Sequence, residues 1–418
     1  MIARRAHYSP LNADITRSRR FVLTLGILTA MAALTVDMSL PAIPSMVEAL
    51  QSTLTRGQQI VGIFMFGMAV GQIPAGLFSD RLGRLPTLYG GMTLFAVAAI
   101  VAAASTDMEW LLGARFVQGI GAASAVVLSR AIVRDIASGR EAARLMSLLT
   151  MIFTAAPVIA PTFGALLVAR WGWRAPFIAI AVCACLMLVA IRMNLVETHQ
   201  PVVSGHPARQ LVTSFGEFFS HRQSVFGLLL LLLPPAGFMS VIAVSAALTV
   251  EIYGYSVQSY GLIFACAGLS ILVGSIANRV LVMRFDQLQL IALSIALMFL
   301  ASAQLAIIAS LGSAPFWWLW SAVCLFMFTI AILMSNAMVV ALDPLPRIAG
   351  VASSIVGTLQ NLAGAGGAIL GAIIYDGTVA KTVTIIAGAG LVTTAIFLLR
   401  PLIAPGPFVH HPEELARD

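Results

Sequence analysis

Residues 58–84 read QQIVGIFMFGMAVGQIPAGLFSDRLGR. From Gln58 to Ser79 no side chain carries a charge. As a helix that run rises about 33 Å, at ~1.5 Å per residue, enough to cross a hydrocarbon core ~30 Å thick. Asp80, Arg81 and Arg84 arrive where such a span reaches the headgroups, and a second apolar run follows at once. The run shows no period-2 alternation, so it reads as helix and not as a barrel strand. Lipid offers no partner to an open backbone, which leaves the helix as the spanning form.

The pattern repeats along the chain. Apolar runs lie at 21–47, 58–79, 85–105, 109–134, 143–169 and 174–195, then at 224–250, 257–278, 287–310, 316–342, 348–375 and 379–401. Twelve transmembrane helices are therefore expected. Composition agrees: of 418 residues, 60% are hydrophobic and 10% charged, with a mean hydropathy of +0.97. A soluble domain carries about 25% charged residues, so a soluble enzyme, a nucleic-acid-binding domain and a disordered scaffold are excluded. The first run is too long for a signal-peptide core and lacks a small-residue cleavage site, so it reads as a retained helix. Cys183, Cys185, Cys266 and Cys324 sit in apolar runs without metal-ligand spacing, and read as buried thiols.

The net charge of +7 orients the chain. With the N-terminus inside, eighteen basic residues fall on the cytoplasmic side and four outside: Arg56, Arg170, Arg174 and Lys381. Arg115 and Arg130 lie within span 4. The basic side is the cytoplasmic one, so both termini are expected there. Residues 1–20 and 402–418 read as cytoplasmic tails. The polar stretch 196–223, with Pro201, His206 and Pro207, reads as a linker between six-helix bundles at 21–195 and 224–401. A weak repeat supports two pseudo-symmetric halves: Gly76 to Asp80-Arg81 recurs as Gly274 to Asn278-Arg279.

Four groups of residues stand out against this apolar background. Gly76, Asp80, Arg81, Gly83 and Arg84 join spans 2 and 3; the glycines suit close approach and a tight turn, and Arg134-Asp135 at the end of span 4 could complete a charge cluster. Arg115 lies one or two turns inside span 4, where an arginine costs ~2.5–3.5 kcal/mol on insertion scales. Its expected partner is Asp37, the acidic residue placed well inside span 1. Burial and a nearby arginine act in opposite senses on a carboxyl's proton, so the occupancy of Asp37 could switch with water access. Pro41 and Pro44 would loosen the helix beyond it. In span 5, Pro157 and Pro161 remove two backbone donors from one face, and small residues there would allow a hinge or a tight seal against the other half. Candidates for a substrate path are Met31, Leu34, Gln118, Phe238, Tyr260, Asn336 and Gln360, each also readable as helix packing. No nucleotide-binding lysine motif, metal-ligand cluster or catalytic triad is visible, so no enzyme and no cofactor is expected.

At these residues the chain resembles the major facilitator superfamily, and within it the twelve-span drug:proton antiporters of the bicyclomycin/chloramphenicol-resistance branch. Asp37-Met38-Ser39-Leu40-Pro41-Ala42 is similar to that branch's Asp-Met-Tyr-Leu-Pro-Ala pattern. Asp80-Arg81-Leu82-Gly83-Arg84 resembles the superfamily's cytoplasmic gating motif, Arg115 with Gly119 the span 4 motif of proton-coupled members, and Pro157, Pro161 and Gly164 the antiporter motif. Trp171, Trp173, Arg174 and Phe177 resemble the entry to span 6. Ser39 stands where the branch usually has tyrosine, Leu85 where a basic residue is common, and Ala156 and Ala160 where antiporters often have glycine. No second carboxylate accompanies Asp37 in span 1, which favours a neutral or zwitterionic substrate.

The resemblance implies a secondary transporter of the bacterial inner membrane that acts as a monomer. It would exchange protons, through Asp37 and Arg115, for small amphipathic compounds such as drugs. Proton-coupled movement of a metabolite or nutrient is an alternative, and a non-transporting scaffold or sensor a remote one. The partners implied are a small-molecule substrate, protons and the lipid bilayer, with no nucleic acid.

Overall fold

A computed structural model describes residues 18–137, 139–198, 207–345 and 348–406, and among these residues it contains helices and no strand. Helix α1 covers Arg19–Ala49 and changes character at Leu40–Ala42, a single 3-10 turn. Pro41 and Pro44 each enter at the first turn of a new segment, where a missing N–H costs nothing. Then come α2 (Leu54–Leu82), α3 (Arg84–Ala104), α4 (Met108–Ile136), α5 (Gly139–Trp171) and α6 (Ala175–Asn194). After the amphipathic α7 (Pro207–Ser220) follow α8 (Arg222–Ala247, ending in a π turn at Leu248–Ile252), α9 (Val257–Leu281), α10 (Gln287–Leu311), α11 (Phe316–Leu342), α12 (Ala349–Ile374), α13 (Val379–Leu398) and the short α14 (Arg400–Ile403). Twelve of the described helices are long and apolar enough to cross a membrane, at the places read from the sequence.

Side-chain caps make the short connections possible. Thr53, Asp107, Ser256 and Thr378 each accept the backbone N–H three residues on, at the starts of α2, α4, α9 and α13. At the other end of α2 the helix runs past the expected stop at Ser79. It continues to Leu82 and ends where Gly83 takes φ +102°, a conformation glycine adopts without strain.

The packing has an internal two-fold pattern. In the first half α1 lies on α5, α4 on α2 and α3, and α3 on α6. In the second half α8 lies on α12, α11 on α9 and α10, and α10 on α13. Each pair in one half has its counterpart in the other. The halves meet along two seams, α2 with α12 and α5 with α9, which the same two-fold relation exchanges. Outward faces carry exposed apolar side chains such as Leu94, Val97, Leu186, Val189, Ile276 and Leu300, as lipid requires.

Two expectations change. The 196–223 segment is not polar coil throughout: α7 packs on α8 and α12, with Phe218 buried and stacked edge-on against Phe219. Phe215, Phe218 and Phe219 fall on one helical face, a periodicity hidden by the polar residues between them. His206 and Pro201 lie outside the described residues. The cysteines are free, and Cys183, Cys185 and Cys266 are exposed on the outer faces of α6 and α9 and not buried within them. An apolar run cannot by itself tell a lipid-facing position from a core one.

Candidate functional site

Asp37 and Arg115 are both buried, at 4% and 0% exposure. They do not form an ion pair. Arg115 Nη1 donates to Gln118 Oε1 (2.9 Å) and Nη2 donates to Ser39 Oγ (3.3 Å). The Ser39 hydroxyl donates in turn to the Val36 carbonyl (2.8 Å). The guanidinium also stands over the Phe64 ring at 4.6 Å and near that of Phe177 at 5.8 Å. A desolvated cation is stabilised by ring faces of this kind. Helix geometry explains why the expected partner is missing. Positions 37 and 39 are about 200° apart around a helix turning ~100° per residue, so when Ser39 faces Arg115, Asp37 faces away.

Asp37 instead faces the second half. It lies within electrostatic reach of the Tyr260 hydroxyl of α9, which shares a 2.9 Å hydrogen bond with Ser245 of α8. Among the described residues Asp37 makes no hydrogen bond and no ion pair. Next to it, a methyl group on Gly164 of α5 would come within 2.9 Å of Met38 Cα, so α5 is pressed against the backbone that carries the carboxyl. The site thus brings together α1, α5, α8 and α9.

At the Arg84 end a second polar cluster forms. Arg84 Nε donates to Asp135 Oδ2 (2.8 Å) and Nη2 to Oδ1 (3.3 Å), a forked contact; Nη1 donates to Asp80 Oδ1 (2.7 Å) and to Ser79. Glu197, just beyond α6, accepts the backbone N–H groups of Arg84 and Leu85, each at 2.9 Å. A carboxylate there satisfies free donors and meets the positive end of the α3 dipole. Thr198 Oγ1 donates to Asp135 Oδ2 (3.0 Å) and closes the ring. Of Arg134 and Asp135, both expected in this cluster, Asp135 makes its hydrogen bonds, while Arg134 makes none among the described residues and lies within electrostatic reach of Asp80, Arg84 and Asp135. Arg81 is exposed. Gly76, expected at a close helix contact, has open space for 4 Å around the point where a side-chain carbon would stand, and it lines a cavity of about 420 Å³ between α2, α4 and α12. Glu197→Ala should cost about 1–2 kcal/mol, in the range of a lost helix cap. That would be read as a lower thermal midpoint of the detergent-solubilised protein, while Glu197→Gln should keep part of the loss at bay by retaining one acceptor.

The α5–α9 seam is a backbone-to-backbone contact. A methyl on Gly268 would stand 2.8 Å from the Pro157 carbonyl oxygen, and one on Gly261 would stand 2.7 Å from Thr162 Cα. Thr162 Oγ1 donates to the Gly261 carbonyl (3.0 Å) across the seam. At the α2–α12 seam Thr358 donates to Gln72 Oε1 (3.0 Å). The remaining path candidates divide. Leu34, Phe238 and Gln360 are half-buried. Met31 is buried, Gln118 serves Arg115, Tyr260 serves Ser245, and Asn336 Nδ2 donates to Asn278 Oδ1 (2.7 Å) inside the second half.

Two related halves, two inter-half seams and, among the described residues, one buried carboxyl without a bonded partner describe a transporter frame, and sequence comparison decides which. Residues 25–368 match the profile of the Major Facilitator Superfamily. The chain belongs to the Major Facilitator Superfamily. Among its relatives, a bicyclomycin resistance protein homolog of Haemophilus influenzae is 29% identical, over 85% of this chain and 88% of that protein. The multidrug resistance protein MdtL of Shewanella oneidensis is 31% identical, over 78% and 81%. The fold is that of solved superfamily transporters: a peptide transporter crystallised with sulfate superposes with a TM-score of 0.75 at 15% identity, over 94% of this chain and 98% of that one. The protein is thus a multi-pass membrane transporter and not an enzyme.

Within this Major Facilitator chain, sequence reading missed Ser39 as the residue that seats Arg115 and Glu197 as the cap of α3. Ser39 had a signal, a hydroxyl in an apolar segment two residues from Asp37. The contact of Glu197 spans 113 residues of sequence, and nothing local announces it.

Proposed function

We propose that this transporter exports small amphipathic compounds, drugs among them, from a bacterial cell in exchange for inward-moving protons. The observation that carries the reading is Asp37: a carboxyl buried at membrane depth, without a bonded partner, set where α1 meets the second half. A carboxylate in that setting is costly unless it is used. The names of the relatives support drug export, and the excess of basic residues on one side supports cytoplasmic termini in the inner membrane. The bundles 21–195 and 224–401 would rock about the two seams, joined by 196–223, with the protein acting as a monomer. Arg115, Ser39 and Gln118 would fix the α1–α4 geometry beneath the carboxyl. The Arg84–Asp135–Glu197 ring would hold α2, α3, α4 and the start of the linker as one moving body.

Everted membrane vesicles test this. With the vesicle interior acidified, chloramphenicol or bicyclomycin should accumulate inside, and adding either compound should release protons from the vesicles. Co-movement of compound and protons in the same direction would replace antiport with symport. No movement of either compound under any gradient would remove them as substrates.

A further inference from the structure

Arg130 is a charged residue within α4 that none of the contacts above employs. Through its middle α4 has no lipid-facing side. Every residue from Gln118 to Ser129 is buried or half-buried. A methyl on Gly119 would stand 2.8 Å from the Met68 backbone nitrogen in α2, and one on Gly121 would stand 2.6 Å from the Phe95 backbone nitrogen in α3. Arg130 is the next position, and it is exposed. An exposed side chain on an enclosed helix opens on an internal space. Six positions before Ile136, where the helix ends, it lies about 9 Å from that end, at ~1.5 Å per residue.

Arg130 makes no hydrogen bond and no ion pair among the described residues. Its charged neighbour is Arg134, of the same sign and one turn away. The acids of the cavity, Asp80 and Asp135, both accept from Arg84 and also act on Arg134, and neither acts on Arg130. Val127, Ala131 and Arg134 line the 420 Å³ cavity between α2, α4 and α12, together with Asp80, Arg84 and Asp135; Arg130 is not among its lining residues but stands about 40° from Arg134 and about 60° from Val127 around the helix, at the cavity's edge. Arg130 therefore presents beside this space a guanidinium with no hydrogen-bonded or ion-paired counter-charge among the described residues. A guanidinium offers a planar fork of donors that matches carboxylate, sulfonate and phosphate oxygens.

We propose that Arg130 is an anion-recognition residue of the transport path, and that it binds the carboxylate, sulfonate or phosphate group of an anionic or zwitterionic amphipathic substrate. The assignment of that anion to a substrate rests on the efflux reading above. The binding site itself does not.

The test uses full-length protein in phosphatidylcholine nanodiscs and two probes that differ by one charge, dansyl-glycine and dansyl-glycinamide. Equilibrium dialysis, with empty nanodiscs subtracted, should show the wild-type chain retaining dansyl-glycine at least tenfold more tightly than the amide. Arg130→Gln should abolish the preference and Arg130→Lys should restore part of it, as a point charge without the fork. Both variants should elute as the wild-type protein does on size exclusion. Equal retention of the two probes by the wild type, or an unchanged preference in Arg130→Gln, overturns the proposal. In nanodiscs that contain phosphatidylglycerol the preference should persist; its disappearance there would give the guanidinium to a lipid headgroup and overturn the substrate assignment. If the wild type moves no compound against any proton gradient while the preference survives, the efflux reading fails and the Arg130 site stands.

Discussion

Asp37→Asn is expected to abolish proton-driven accumulation of substrate in everted vesicles, while the protein still reaches the membrane at the wild-type level. Asparagine keeps the size of the side chain and removes only its ability to gain and lose a proton. Because Asp37 makes no hydrogen bond or ion pair among the described residues, the exchange leaves no broken contact behind and no unpaired cation. Loss of stability should therefore be small, and neutralising an unpaired buried carboxyl can raise it. The functional loss should be at least tenfold in the initial rate, and compound-induced proton release should vanish with it. Exchange of labelled for unlabelled compound, which needs no net proton movement, should survive in part. Undiminished, pH-dependent antiport by Asp37→Asn would remove this carboxyl from the mechanism. Arg115→Gln makes a useful contrast. It withdraws a cation from Ser39, Gln118 and two aromatic rings, so it should lower the thermal midpoint as well as the rate.

The twelve spans were legible because each rests on a one-dimensional property, a run of apolar residues as long as the bilayer is thick. The halves were legible from the recurrence of Gly76 to Arg81 at Gly274 to Arg279, and the packing pattern repeats in the same way. The site was legible as a set of residue types and not as a set of contacts. Scarcity of charge singles out Asp37 and Arg115, but their pairing depends on which way each faces, and the two-residue step from Asp37 to Ser39 turns the carboxyl to the opposite side. Arg134 and Asp135 illustrate the same limit: adjacent in sequence, they point about 100° apart, and only Asp135 hydrogen-bonds to Arg84. The three exposed cysteines were misread for a related reason, since lipid and protein core accept the same side chains.

Gly119→Val is expected to destroy the fold of the first half, and Gly113→Ala, two turns away on the same helix, is expected to be harmless. At Gly119 the backbones of α4 and α2 touch. A side-chain carbon there would overlap the Phe64 carbonyl oxygen and stand 2.8 Å from the Met68 nitrogen, and one on Gly67 would overlap the Phe116 carbonyl from the opposite direction. The atoms in the way are backbone, so no rotamer change relieves the clash and the helices must part. Helix association in lipid depends on van der Waals packing of this kind, without a hydrophobic drive to replace it. Overpacking a close-packed site costs about 1–3 kcal/mol for a few added carbons, and a branched side chain against backbone should fall at or above the top of that range. The damage also has a direction. Phe64 supplies both the carbonyl that meets Gly119 and the ring beneath the Arg115 guanidinium, so parting α2 from α4 should unseat Arg115 as well. Gly113 has open space around it, and alanine there should stabilise the helix by up to about 1 kcal/mol. Expression level and thermal midpoint in detergent would check both substitutions. Normal yield and an unshifted midpoint for Gly119→Val would show that the α2–α4 crossing is not as tight as the backbone contact requires.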